Sequence, residues 1–193
     1  MFFKKYDKLI ASIFAFLTLL FFIFAISNRD FLEWAFARHH NQLSWFIRPI
    51  FLIPFCYFAY KKSWSGISIT IFSLFTSMFW FPEPEIVSEQ VALFLEYEVD
   101  YLTSEWGISK ILLTLLVPIS FLLLGLGFWK RNLWIGLSVI IMMAFGKMMW
   151  SIFSAGESGK SIMIPAIVGL LLCVFFIYWG FKKLEKNKMN IDK

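Results

Sequence analysis

The chain has 193 residues, of which 60% are hydrophobic, 21% aromatic and only 16% charged, with a formal net charge of +5 and a mean hydropathy of +0.73. So few charges cannot cover the surface of a soluble domain of this size, where about a quarter of residues are charged, and disorder needs the opposite balance of low hydrophobicity and high charge. Two cysteines exclude a disulfide scaffold, which leaves an all-α polytopic integral membrane helical bundle, a single transmembrane domain over 1–193.

A membrane span needs about 20 mainly apolar residues, because a helix rises about 1.5 Å per residue through about 30 Å of hydrocarbon. The first such segment, about 9–27, contains no charge and follows Lys4, Lys5 and Lys8. Ala25-Ile26-Ser27 resembles a cleavage site, but the apolar run exceeds the roughly 7–15 residues of a signal peptide, so a retained span is expected. Runs such as 14–24 lack the alternation of a membrane strand, and lipid requires backbone groups to be satisfied internally, so the spans are helices. Ala11 and Ala15 form a small-residue stripe suited to close helix contact or to docking of another membrane protein.

Residues 28–42 form an outer connection in which Phe31, Leu32, Ala35 and Phe36 suggest a short interfacial helix. His39 and His40 near its end point about 100° apart on a helix and make a poor chelate; a solvated pair is expected, with no metal. The second span, about 43–60, carries Arg48, Pro49 and Pro54, and the third, about 66–81, is the shortest. On the third, Ser73, Thr76, Ser77 and Trp80 share a face.

The long segment 82–110 contains an amphipathic helix over about 86–106, starting near Ser88 or the preceding prolines. Val87, Val91, Phe94, Leu95, Leu102 and Trp106 fall on one face, and Glu89, Glu96 and Asp100 opposite. Glu98 breaks the apolar stripe, with Glu105 projecting near it. Such a helix lies on the membrane surface or caps the bundle.

The fourth span is about 111–129 and the fifth about 133–153, which carries Lys147, Ser151 and Ser154. The following Gly156-Glu157-Ser158-Gly159-Lys160-Ser161 resembles the end of a phosphate-binding loop, but Ser154 stands where that loop requires glycine and no strand precedes it. The sixth span, about 162–181, shows Pro165, Gly169 and Cys173 as a small-residue stripe. No Cys-x-x-Cys supports redox chemistry.

Orientation follows from the basic residues. With the N-terminus inside, 12 of the 18 Lys and Arg fall in inner segments: Lys4, Lys5, Lys8, Lys61, Lys62, Lys130, Arg131, Lys182, Lys183, Lys186, Lys188 and Lys193. Four fall outside, Arg29, Arg38, Lys110 and Lys160, and ten of the 13 acids join them there. Both termini are therefore expected in the cytoplasm, and a bacterial plasma membrane is the expected location. The basic excess follows this sidedness rule, and binding to nucleic acid is not expected.

Arg48 and Lys147 lie five to six residues from the outer ends of their spans, about 8–9 Å deep. Intramembrane cations usually face the bundle or a watery cavity and find a partner. Three readings fit: snorkelling to the headgroups, pairing with Glu98, Glu83 or Glu85, and a pocket for an anionic or polar ligand. Ser77, Ser151 and Ser44 converge on the same depth, with Trp80 and Trp150 as walls. The function expected first is a multi-pass protein that binds or helps transport a small anionic or amphipathic ligand in an outward-facing pocket. The alternative is a non-catalytic accessory protein, with an envelope, partner-complex or immunity role, whose acidic outer surface meets a cationic partner. A lipid-modifying enzyme using His39, His40, Glu83 or Glu98 comes third, since no catalytic spacing supports it. No cofactor is expected.

Overall fold

The computed structural model describes residues 5–191, with side chains described over 5–186. Lys4, Asp192 and Lys193 lie outside the described residues, as does the side chain of Lys188. The described chain is helical: α1 (Asp7–Ser27), α2 (Arg29–His39), α3 (Leu43–Ile50), α4 (Leu52–Tyr60), α5 (Trp64–Thr76), α6 (Glu89–Thr103), α7 (Ile108–Trp129), α8 (Leu133–Ala155) and α9 (Met163–Ile191). Tight 3-10 turns occupy Ser77–Phe79 and Ser158–Ile162.

Among the described residues, five helical stretches are long and apolar enough to cross a membrane: Asp7–Ser27, Leu43–Tyr60, Ile108–Trp129, Leu133–Ala155 and Ser158–Lys186. The expected third span is shorter, running Trp64–Phe79. Its 13 α-helical residues and three-residue 3-10 turn give about 25 Å, about 5 Å less than the hydrocarbon core.

Prolines shape the second span. Pro49 and Pro54 each lack an N–H, so the carbonyls of Trp45 and Ile50 lose their helical donors. The helix divides at Phe51, whose N–H reaches back to the Arg48 carbonyl at 3.2 Å. α9 closes against this irregular stretch. Gly169 admits the Pro49 ring where a Cβ would collide with it, and Cys173 Sγ–H donates to the Pro49 carbonyl at 3.0 Å. The small residues Gly169 and Cys173 of α9 thus make a contact with the proline kink between α3 and α4. Ala15, by contrast, lines a shallow apolar groove between α1 and α5 with Thr18, Leu19 and Ser68.

Two short turns at one end of the bundle share a construction. In the first, the N–H groups of Lys61, Lys62 and Ser63 donate to the carbonyls of Tyr57, Ala59 and Phe58; in the second, those of Lys130, Arg131 and Asn132 donate to Leu126, Phe128 and Gly127. Lys62 and Arg131 take the left-handed conformation, φ 56° and 59°, which costs a residue with a Cβ about 1 kcal/mol. The bonds that close the preceding helices offset this cost. Ser63 and Asn132 then cap the next helices, accepting from the N–H groups of Gly66 and Ile135. Each left-handed cation also lies over an aromatic ring of the other turn: Lys62 5.9 Å from Trp129, and Arg131 5.0 Å from Tyr60. At the same end, Asp7 caps α5 from α1, accepting from the N–H groups of Trp64 and Ser65 at 2.9 and 3.1 Å.

The core has two parts. Leu52, Phe55, Cys56, Leu124, Phe128, Ile140, Cys173 and Phe181 fill the bundle near these turns. At the other end, Leu32 and Phe36 of α2, Trp45 of α3 and Val91, Phe94 and Leu95 of α6 form a second cluster. The amphipathic helix caps the bundle through the predicted stripe, its first turn closed by Ser88 Oγ accepting from the Val91 N–H. It is shorter than the pattern suggests. The Ser104 N–H donates to the Asp100 carbonyl, the chain turns extended, and Trp106 lies beyond the helix, half-exposed.

Gly169→Ala is expected to lower stability by about 1–3 kcal/mol through collision with Pro49. Gly146→Ala, where a Cβ meets nothing within 4 Å, should be neutral or slightly stabilising. Chemical denaturation of both variants in the same detergent separates the two.

Candidate functional site

The polar groups at the α2/α6 end divide into two linked pairs. The first begins with backbone geometry: α2 ends at His39 and α3 starts at Leu43, with Asn41 between them. Asn41 Nδ2 donates to the Pro82 carbonyl at 3.0 Å, and Arg38 Nε donates to the Phe79 carbonyl at 3.0 Å, fastening this corner to the end of α5. Ser44 Oγ donates to the Asn41 carbonyl at 2.7 Å. Its only proton is thereby used, so it accepts from His39 Nδ1–H at 2.8 Å. Nε2 is then the unprotonated nitrogen and accepts from Arg48 Nη1 at 3.1 Å.

His39 is therefore neutral and buried, 3% exposed, where the sequence suggested a solvated pair. Burial holds its pKa well below the usual imidazole range, and the nearby Arg48 and Lys147 cations add to this; a Met78 carbonyl pulls the other way. Neither ring nitrogen is free to act as a base. His40 Nδ1–H donates to the Phe36 carbonyl at 2.8 Å. Among the described residues no three His, Cys, Asp or Glu side chains group as metal ligands.

Arg48 is partly buried, and the neutral His39 is its only hydrogen-bond acceptor among the described residues. No described carboxylate lies within ion-pair distance of it. Glu98 is near enough for its charge to act on the guanidinium, but Glu98 is committed elsewhere. Its Oε1 accepts from Lys147 Nζ at 2.6 Å, with side-chain exposures of 17% and 41%. Lys147 Nζ also lies 5.3 Å from the Phe94 ring and 4.5 Å from Trp150. The acid that interrupts the apolar stripe of α6 is thus the partner of the cation that interrupts α8.

The remaining expected site residues go to different places. Trp150 belongs to the Lys147 surround and meets Tyr101 at 5.3 Å. Trp80 packs edge-on against Phe51 at 5.5 Å and is 48% exposed. Ser77 is buried and donates to the Leu74 carbonyl of its own helix at 2.7 Å, so its hydroxyl proton is used. Ser151 is buried, and its Oγ is the one fully buried side-chain polar atom without a hydrogen-bond partner among the described residues. The Ser151 backbone is pressed so closely by Gly159 that a Cβ there would collide with its carbonyl. Glu83 and Glu85 are exposed and stand outside ion-pair range of both cations.

Two participants were not singled out from the sequence. Asn41 orients Ser44, and a clue lay in its place between two helical patterns, where Asn favours a turn. Lys110, read as an outer cation, is buried, donates to the Ser104 carbonyl at 2.8 Å and lies 4.5 Å from the Trp106 ring, joining the end of α6 to the start of α7. Comparison with protein-family models, curated proteins and solved structures finds no match for this chain.

Two measurements follow. Since the native imidazole is neutral, the unfolded chain takes up a proton first as pH falls through the ordinary value of 6.5. Stability is then complete above that pH and declines below it, by up to about 1.4 kcal/mol per pH unit for one proton. Thermal unfolding between pH 8 and 5 should show this slope in the wild type and lose it in His39→Asn. In a double-mutant cycle, Glu98→Gln and Lys147→Met should show coupling of about 0.5–1 kcal/mol, the partial exposure of Lys147 keeping the pair near surface values.

Proposed function

We propose that the chain is a six-span membrane protein, both termini cytoplasmic, that binds or helps transport a small anionic or amphipathic ligand at an outward-facing site centred on Arg48. The carrying observation is the unequal treatment of two cations. Lys147 has a carboxylate and two aromatic rings; Arg48 has a neutral imidazole alone among the described residues. A guanidinium partly withdrawn from water with no carboxylate in ion-pair reach favours an incoming carboxylate or phosphate, which it can meet through two parallel N–H bonds. Glu98 and Lys147 form the exchangeable edge of the site, since an anion drawn to Arg48 competes with Glu98 for Lys147. Ser77 supplies no free proton, which narrows the expected ligand set to Arg48, Lys147 and Trp150, with Ser151 as a further donor. The orientation is supported by 12 basic residues in the segments assigned to the cytoplasm against four in those assigned outside, with Lys61, Lys62, Lys130 and Arg131 in the two paired turns.

A second reading, a non-catalytic accessory protein, is favoured by the segment before α6. Glu83 and Glu85 are exposed there, around an Ile86 that is 91% exposed, and Glu89 is exposed at the first position of α6. A cationic partner would meet that segment.

Thermal stability in detergent with a panel of phosphate, acetate, octanoate and alkyl phosphate tests the first reading. A ligand a hundredfold above its Kd stabilises by about 2.7 kcal/mol, and this gain should vanish in Arg48→Gln and weaken in Lys147→Met. Equal stabilisation of all three proteins by every ligand removes both residues from the site.

A further inference from the structure

A separate feature lies at the end of the bundle that carries the paired turns. A groove between α4 and α9 is lined by Ile53, Tyr57, Phe176, Gly180 and Leu184 and is almost wholly apolar. Gly180 stands beside open space in it, since a Cβ added there would meet nothing within 4 Å, so a larger side chain at this position would occupy the groove. Lys61 follows Tyr57 by one helical turn, its Nζ 5.7 Å from the Tyr57 ring. Lys183 follows Gly180 by three residues, on the same side of α9, its Nζ 5.1 Å from the Trp179 ring. Both lysines are exposed, and neither has an ion pair or hydrogen bond among the described residues. Their neighbour Lys182 is by contrast paired with Glu185 at 3.4 Å.

We propose that this groove seats one acyl chain of an anionic glycerophospholipid whose phosphate lies between Lys61 and Lys183. The two halves of the site select different halves of the ligand. An apolar groove accepts hydrocarbon and offers a polar headgroup nothing, while two unpaired ammonium groups at its end attract a phosphate and repel the cation of a zwitterionic headgroup. The flanking Tyr57 and Trp179 are residues suited to the level where chain gives way to headgroup. Free phosphate has the charge without the chain and satisfies only half of this arrangement.

The test is native mass spectrometry of the purified protein in detergent with equimolar dioleoyl phosphatidylglycerol and dioleoyl phosphatidylcholine. The wild type should retain one phosphatidylglycerol with about thirtyfold preference, as two interfacial lysines imply. The K61Q/K183Q double variant, altered only at exposed positions, should fall to near parity. G180L should lose the retained lipid with both lysines intact, and soluble glycerol phosphate should not displace it. Parity in the wild type, unchanged retention by G180L, or displacement by glycerol phosphate as effective as by the lipid overturns the proposal. Leu184→Trp, one turn further along the same α9 wall, also narrows the groove and gives the same reading should G180L fail to fold.

Discussion

A cation inside an apolar bundle must be met by something, and much of the α2/α6 end of this protein is arranged around how Arg48 and Lys147 are met. Charged side chains carry a desolvation penalty that only nearby opposite charge or well-aimed dipoles can offset. Lys147 obtains both, from Glu98 and from the faces of Phe94 and Trp150. These contacts tie α8 to α6 and explain why α6 carries an acid on its buried face. Arg48 draws on a chain of neutral groups running back through His39 and Ser44 to the Asn41 carbonyl. That chain fixes the tautomer of His39 and, through it, the corner between α2 and α3. A protonated His39 would place a second positive charge against Arg48, so the corner depends on the imidazole remaining neutral.

The short fifth helix belongs to the same arrangement. It ends in a 3-10 turn whose Ser77 and Met78 lie in the wall of this end. The Phe79 and Pro82 carbonyls beyond it receive Arg38 and Asn41. Backbone carbonyls released where the helix stops are what the α2/α3 corner binds, so the end of α5 is capped from another element.

Much of this was legible beforehand, because lipid leaves a chain few options. Continuous apolar runs place α1, α7 and α8 within a few residues of their observed bounds and α9 at its start, although that helix continues through the basic segment to Ile191, ten residues past the expected end. The period of Val91, Phe94 and Leu95 gives the buried face of α6, and Glu98 stands out as an anomaly in it. What was not legible depends on groups distant in sequence meeting in space. His39 reads as solvated because its neighbours in sequence are polar; it is buried because Trp45 and Phe36 close over it, with Trp45 Nε1–H donating to its carbonyl. Depth along a helix likewise says nothing of azimuth. Ser77, Trp80 and Lys147 are expected at one depth, yet Ser77 bonds its own helix and Trp80 packs on Phe51. The break at Phe51 follows from Pro49 and Pro54, although the sequence pattern runs through it as one span.

The exchanged cation–aromatic contacts between the two short turns have a mechanical consequence. Lys62 and Arg131 each reach across to a ring on the opposite turn, so the α4/α5 hairpin and the α7/α8 hairpin are buckled together at their bends. A rigid-body movement of one hairpin that keeps both contacts must swing about that buckle like the blade of a pair of tongs. The smallest displacements then fall at the paired turns, and the largest at the far tips, next to α3 and its Arg48 on one arm and at Lys147 of α8 on the other.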